Sequence, residues 1–185
     1  SELIADYFNT TRHRNFAGST FDDFGRPESV EDLHRITHDD LLALCMLDIR
    51  PRPEAIRVIE QGRINFGLGD IPHSLPIWDA TDEHLASVSV AWGLLERIHH
   101  FGPTAVSKLL SRKRPLLVPI QDSVIEGLLG IPRDSTWHPS LRAALRDRSL
   151  RDAIDGLSPK TIGRKPSTLR ILDVAIWMLR SRSSA

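Results

Sequence analysis

Residues 99–130 read HHFGPTAVSKLLSRKRPLLVPIQDSVIEGLLG, and this stretch decides the fold. An apolar helical pattern leads into it and ends at a Gly-Pro pair, Gly102 and Pro103. Proline is tolerated at the first position of a helix, so the pair predicts a tight turn followed at once by a new helix. That helix gives way to a short apolar extended run, 116–120, and a further helix is predicted to begin at Asp122. The pattern indicates two helices joined by a hairpin and followed by a third.

The rest of the chain is also helical in pattern. Apolar residues recur at helical spacing, caps such as Thr37 and Thr81 precede them, and prolines or glycines end them. The predicted helices cover residues 2–8, 37–49, 53–61, 82–98, 103–111, 122–129, 138–146 with a continuation to 156, and 167–179. The sequence contains no alternating strand pattern and no internal repeat. It therefore predicts an all-α fold, a single compact bundle-like domain of residues 1–185 that contains a helix-hairpin-helix motif.

The composition limits the class of protein. A chain of 185 residues suffices for one sizeable core. The single cysteine, Cys45, excludes a disulfide framework and suits a reducing cytoplasm, and its apolar surroundings (LLALCML) favour a core position over a catalytic thiol. No apolar run approaches the roughly 20 residues that span a bilayer, so no membrane contact is expected. No cofactor and no metal site is expected either.

The charge is distributed unevenly along the chain. Residues 1–90 hold 16 acidic and 8 basic residues, and residues 91–185 hold the reverse, so the halves carry formal charges of −8 and +8. A polyanion such as nucleic acid would meet the basic second half rather than the acidic first half. The alternative is that the two oppositely charged halves pack against each other.

The predicted hairpin has the features of an anion site. Gly102 would supply the turn, and the backbone N–H groups from Thr104 onward would face outward at the start of a helix, where a DNA phosphate could accept from them. Nearby cations would add affinity without reading sequence. Four cations follow the hairpin: Lys108, Arg112, Lys113 and Arg114. The alternative is an ordinary corner between two helices with a solvated basic face.

Asp122 is a candidate catalytic carboxylate. It follows the apolar run LLVPI and opens a helix, so its side chain would lie partly shielded from water. In that position it could stabilise a developing sugar cation or activate a water molecule. The alternative is a purely structural role, because Asp is a preferred helix N-cap. The two roles do not exclude each other.

The core of this stretch, GPTAVSKLLSRKRPLLVPIQDSVI (102–125), resembles the signature of a family of uncharacterised bacterial proteins with a domain of unknown function. Three flanking segments are similar to that family as well. They are FAGSTFDDFG (16–25), ITHDDLLALCML (36–47) and LRILDVAIWM (169–178). The resemblance therefore covers most of the chain.

More distantly, the same core resembles the helix-hairpin-helix DNA glycosylase superfamily. Gly102 takes the place of the hairpin glycine and Asp122 that of the catalytic Asp. Bifunctional members carry a Schiff-base lysine where this chain has Thr104, and Lys108, one turn further on, is a poor substitute. The first hairpin glycine is replaced by His100, and the cysteines of an iron–sulfur cluster are absent. The resemblance implies a monofunctional DNA N-glycosylase-like hydrolase that acts on double-stranded DNA.

Such an enzyme needs a pocket for a flipped base, and aromatic side chains would line it. Trp78, Trp92, Trp137 and the phenylalanines are candidates, whereas Trp177 lies in an apolar helix and is expected in the core. Two alternatives remain open. One is a non-catalytic nucleic-acid-binding or regulatory protein, and the other is an enzyme for a phosphorylated small molecule or a protein-interaction module that uses the four cations.

Overall fold

The structure is a computed structural model that describes residues 2–8, 16–25, 29–62, 64–132, 134, 136–159 and 165–183. In this part of the chain it contains nine α-helices and no strand, so the predicted all-α class is confirmed. The helices are α1 (Glu2–Phe8), α2 (His38–Cys45), α3 (Pro53–Glu60), α4 (Asp82–Glu96), α5 (Pro103–Lys113), α6 (Ser123–Leu129), α7 (Trp137–Leu145), α8 (Arg148–Asp155) and α9 (Thr168–Ser183). None of the described helices is long and apolar enough to cross a bilayer.

The helix starts follow from the capping residues. The Thr37 side chain accepts from the N–H of Asp40, while the Asp40 carboxylate accepts from the N–H of Thr37 at 2.8 Å, which closes a capping box on α2. Thr81 caps α4 in the same reciprocal way with His84. These local bonds satisfy backbone donors that the first helical turn cannot satisfy itself. The predicted starts at Thr37 and Thr81 are therefore confirmed.

Two helices organise the packing. α9 contacts α1, α6 and α8, and α5 contacts α2 and α4. The buried faces of both helices carry fully enclosed aliphatic side chains, such as Leu109 and Leu110 on α5 and Ile171 and Val174 on α9. Each such side chain stabilises the fold by about 1.5–3 kcal/mol through burial. The start of α6 lies where these two groups of helices meet.

Three local predictions need correction. The run 116–120 begins with a turn at Leu116 and Leu117 and forms no strand, and Leu117 and Val118 within it are buried. The helix predicted to continue past 146 is interrupted, because Asp147 caps a separate helix by accepting from the N–H of Ser149 at 2.8 Å. Cys45 is exposed rather than in the core, since Leu41 and Leu44 occupy the buried face of the short helix α2.

Candidate functional site

A corner joins α4 to α5 at the place where the hairpin was predicted, and this corner does not by itself establish a helix-hairpin-helix motif. Ile98 and Phe101 anchor it, since they are only 4% and 3% exposed. The left-handed backbone conformation falls on His100, with φ of 64°, whereas Gly102 has an ordinary φ of −76° and serves as the N-cap of α5. The turn therefore does not depend on Gly102 in the way that the sequence suggested, because the residue with positive φ lies two positions earlier.

The first amides of α5 bond within the corner itself. The N–H groups of Ala105 and Val106 both donate to the carbonyl of Gly102, at 2.9 and 3.1 Å. Gly102 and Pro103 are exposed, and Thr104 is half-buried. The corner is thus an open surface, but the amides after Thr104 close the first helical turn instead of pointing to solvent.

Arg112 and Lys113 point into the fold and hold the acidic half. Both bond to the Asp40 carboxylate at 2.8 Å, and all three side chains are at most 6% exposed. Arg112 also donates to the carbonyls of Phe21, Phe24 and Gly25. These two cations therefore tie α5 to α2 and to the segment before it, and are engaged by protein groups.

Arg114 is fully buried and bonds to backbone carbonyls. Its guanidinium donates to the carbonyl oxygens of Ile71 at 2.6 Å, of Leu33 at 2.8 Å and of Leu68. Burial lowers the pKa of Arg114 to about 10, which leaves it charged at neutral pH. The alternative interpretation, in which the two oppositely charged halves of the chain pack against each other, therefore holds for Arg112, Lys113 and Arg114.

Lys108 and Asp122 come together at a cavity of about 260 Å³ between the α5 and α9 groups of helices. We call it the Asp122 cavity. Its lining includes Tyr7, Phe16, Lys108, Asp122, Asp173 and Trp177. Lys108 donates to the carbonyl of Leu47 at 2.9 Å. Burial lowers the pKa of Lys108, and the neighbouring Asp122 carboxylate opposes that shift, so the two groups lie within electrostatic reach.

Asp122 is both a cap and a cavity residue. Its Oδ1 atom accepts from the N–H groups of Val124 and Ile125, each at 3.0 Å, which fixes the carboxylate at the start of α6. Within the described part of the chain, its Oδ2 atom has no hydrogen-bond partner. The capping role predicted for Asp122 is therefore confirmed, and the second oxygen remains available to a ligand in the cavity.

Ser107 positions this carboxylate relative to α5. Its hydroxyl is fully buried, accepts from the N–H of Gln121 at 3.1 Å and lies 3.1 Å from the carbonyl of Gln121. The peptide before Asp122 is thereby bonded to the middle of α5, one residue before Lys108. Sequence reasoning missed this role, because a serine inside a helix carries no local sign of a partner fourteen residues away.

A buried ionic cluster on α9 forms the other wall of the cavity. Arg170 donates to Asp22 at 3.0 Å, to the Tyr7 hydroxyl at 2.9 Å and to Asp173. Burial raises the pKa of Asp173 to about 6, with Arg170 opposing the shift and Asp122 adding to it. A carboxyl group with a pKa near neutrality can both hold and release a proton. The missed signal was a lone Asp inside the apolar stretch ILDVAIWM.

Of the aromatic side chains predicted to line such a pocket, Phe16 lines this cavity, whereas Trp78, Trp92 and Trp137 are not among its lining residues. Phe16 packs edge-on against Trp177, with centroids 5.7 Å apart, and both line the cavity beside Tyr7. Trp177 is 36% exposed, so its predicted core position is wrong, because it lies on the part of α9 that faces the cavity. Trp137 is fully buried, and Trp78 lies under the guanidinium of Arg151 at 4.8 Å.

Comparison with known proteins identifies the family without naming an activity. Neither a curated protein nor a solved structure matches the chain significantly. A family model covers residues 1–180, nearly the whole chain. The protein therefore belongs to the family of unknown function DUF6308.

Proposed function

We propose that the protein is a hydrolase of N-glycosidic bonds, of the monofunctional DNA glycosylase type, with Asp122 as its catalytic carboxylate. The observation that supports this most is the position of Asp122, whose Oδ1 atom is fixed by two backbone amides while the carboxylate lines a cavity. That cavity, at about 260 Å³, is slightly smaller than the ~300–1,000 Å³ of typical ligand sites, and it suits a single base rather than a whole nucleotide.

The chemistry assigns separate roles to two carboxyl groups. Hydrolysis breaks the bond between the sugar C1′ and the base nitrogen, and the bonding electrons leave with the base. Water adds to C1′ and loses a proton, which Asp122 Oδ2 accepts after stabilising the positive charge that develops on the sugar. Asp173, whose pKa of about 6 keeps a protonated fraction near neutrality, donates a proton to the departing base. The two carboxyl groups then exchange protons with solvent, so the charge balances.

The exposed corner is the proposed DNA contact. Gly102 and Pro103 are exposed there, and Thr104 lies one helical turn before Lys108, on the same face of α5. A strand that follows the corner could thus place a flipped base in the Asp122 cavity. The helix-hairpin-helix resemblance supports this docking. Arg112, Lys113 and Arg114 have no part in it, since their charged groups are engaged inside the fold.

The test measures abasic sites in duplex oligonucleotides that each contain one deaminated, alkylated or oxidised base. We expect Asp122→Asn to reduce the rate by at least about 100-fold, the usual range for loss of a general base, while the amide oxygen preserves the helix cap. The matched control is Asp147→Asn, the same change at the N-cap of α8. It should retain the wild-type rate. No abasic product from any duplex, or equal rates in wild type and Asp122→Asn, would refute the proposal.

A second candidate is an enzyme for a small anionic substrate. The position of Lys108 favours it. Four cations follow the corner, and among them Lys108 lines the Asp122 cavity. The same assay separates the two functions when nucleosides and nucleoside monophosphates are added as substrates. Base release from these but not from DNA would favour the small-molecule enzyme.

Borohydride trapping on DNA should give no adduct with Lys108 if the enzyme is monofunctional.

A further inference from the structure

We propose that a second cavity, on the other side of the segment that carries Asp122, binds a planar nitrogen heterocycle with exocyclic amino groups, such as adenine or cytosine. This cavity has a volume of about 510 Å³ and lies between α4, the start of α5 and the start of α7. We call it the Trp92 cavity, and the residues that carry the argument are Ser89, Trp92, Glu96, Gln121, Asp134 and His138. The proposal is independent of the function proposed for Asp122.

Gln121 supplies the first polar group of this site. Its backbone N–H and carbonyl are both engaged by Ser107, and Asp122, the next residue, has an extended backbone and lines the Asp122 cavity. Because successive side chains of an extended chain point to opposite sides, the Gln121 amide points into the Trp92 cavity. Gln121 is only 3% exposed. Its side-chain amide bonds to no other group within the described residues.

His138 supplies the second polar group. Its Nε2 atom is buried and has no hydrogen-bond partner in the described part of the chain. Burial lowers the pKa of His138 to about 4, so the ring is neutral at physiological pH and one of its nitrogens can accept a hydrogen bond. Buried polar groups are nearly always paired. The one buried, unpaired nitrogen of His138, together with the Gln121 amide at the same cavity, therefore favours a hydrogen-bonding ligand over an apolar one.

The charge of the lining selects the class of ligand. Asp82, Glu96 and Asp134 carry carboxylates at this cavity, and none of the described lining residues is Lys or Arg. Asp82 is paired with Arg142 at 2.5 Å, whereas Glu96 is exposed. Such a lining repels phosphates and carboxylates and attracts groups that donate hydrogen bonds. An amide side chain can both donate to and accept from one edge of an aminopurine.

Trp92 supplies the surface for stacking. It is half-buried and lies edge-on to His138, with ring centroids 6.0 Å apart and an angle of 82° between the planes. An indole beside polar groups is a common stacking partner for heterocyclic bases. A planar ring stacked on Trp92 would bring its amino group toward Gln121 and Glu96. Adenine and cytosine meet these requirements, whereas uracil lacks the amino group and AMP adds a phosphate that the carboxylates repel.

The experiment is a titration of the ¹⁵N-labelled protein followed at the four tryptophan indole N–H resonances. Adenine and cytosine should shift the Trp92 resonance saturably, and uracil and AMP should bind at least tenfold more weakly. Glu96→Lys, a substitution at an exposed position, should weaken adenine binding at least fivefold and reduce the difference in affinity between adenine and AMP. Trp92→Leu should abolish the binding, and Trp78→Leu is the matched control that should retain it.

Four results would overturn the proposal. The first three are the absence of any saturable shift with adenine or cytosine up to their solubility limits, binding of uracil and AMP as strong as that of adenine, and adenine binding unchanged by Glu96→Lys. A shift of the Trp177 resonance without one at Trp92 would also overturn it, because it would place the base in the Asp122 cavity. That last result would leave the proposed hydrolase standing, so the two proposals fail separately.

Discussion

At the scale of single residues, the Asp122 cavity and the Trp92 cavity are lined by two neighbouring residues of the chain. Gln121 and Asp122 are consecutive, and the Ser107 hydroxyl holds the backbone of Gln121 at 3.1 Å. Asp122 is fixed again by the amides of Val124 and Ile125. A carboxylate held at both its backbone and one oxygen loses little further freedom when a substrate binds. This preorganisation is what a site that stabilises a developing charge requires.

His138 makes the stability of the protein dependent on pH in a defined direction. Burial lowers its pKa to about 4 in the folded state, against about 6.5 in an unfolded chain. Between these values the unfolded state binds a proton that the folded state does not, so stability falls as the pH falls. The full effect is on the order of 3 kcal/mol. Urea unfolding should therefore show that the free energy of unfolding falls less between pH 7 and pH 4 in His138→Gln than in wild type. Equal losses in both proteins would contradict this expectation.

At the scale of elements, local capping explains which helix starts could be predicted. Thr37, Thr81 and Asp122 each bond to amides within three residues, so the sequence around them contains the whole interaction. The orientation of Arg112 and Lys113 could not be predicted in this way, because Asp40 lies more than seventy residues away. Trp177 was misplaced for a related reason. The pattern of α9 shows which residues are apolar but does not show where a cavity interrupts the packing.

Arg114 determines how the end of α5 holds two short 3₁₀ helices. Glu31–Leu33 and Leu68–Asp70 both direct carbonyls at its guanidinium. Arg114→Met would preserve much of the side-chain volume but leave these buried acceptors unpaired, so we expect the free energy of unfolding to fall by at least about 3 kcal/mol. Arg148→Met is the control, since Arg148 is 84% exposed and pairs only loosely with Asp152 at 3.7 Å. It should change stability by no more than about 0.5 kcal/mol. If denaturant unfolding shows that the two variants lose similar free energies of unfolding, the buried hydrogen bonds of Arg114 do not stabilise the fold as expected.

At the scale of the whole molecule, some of the opposite charges of the two halves form ion pairs between the halves. Asp40 and Asp22 belong to the acidic half, and their partners Arg112, Lys113 and Arg170 belong to the basic half. The acidic half thus covers the densest cationic segment of the chain. A positive half-chain charge therefore does not by itself indicate an exposed nucleic-acid surface, and the proposed DNA contact depends on the α4–α5 corner instead.

The Asp40 cluster gives this arrangement a measurable consequence. Asp40→Asn would leave Arg112 and Lys113 buried without a counter-charge, and loss of one partner from such a cluster typically costs about 3–5 kcal/mol. Because the pairs are shielded from solvent, the loss should persist in 1 M salt, where exposed pairs are screened. Asp82→Asn is the matched control, as it also breaks a contact to an arginine on another helix, but the Asp82 side chain is 90% exposed. It should cost at most about 1 kcal/mol and lose that effect at high salt. If Asp40→Asn proves no more costly than Asp82→Asn in denaturant unfolding, or if its cost disappears in 1 M salt, electrostatic joining of the halves is not what stabilises this fold.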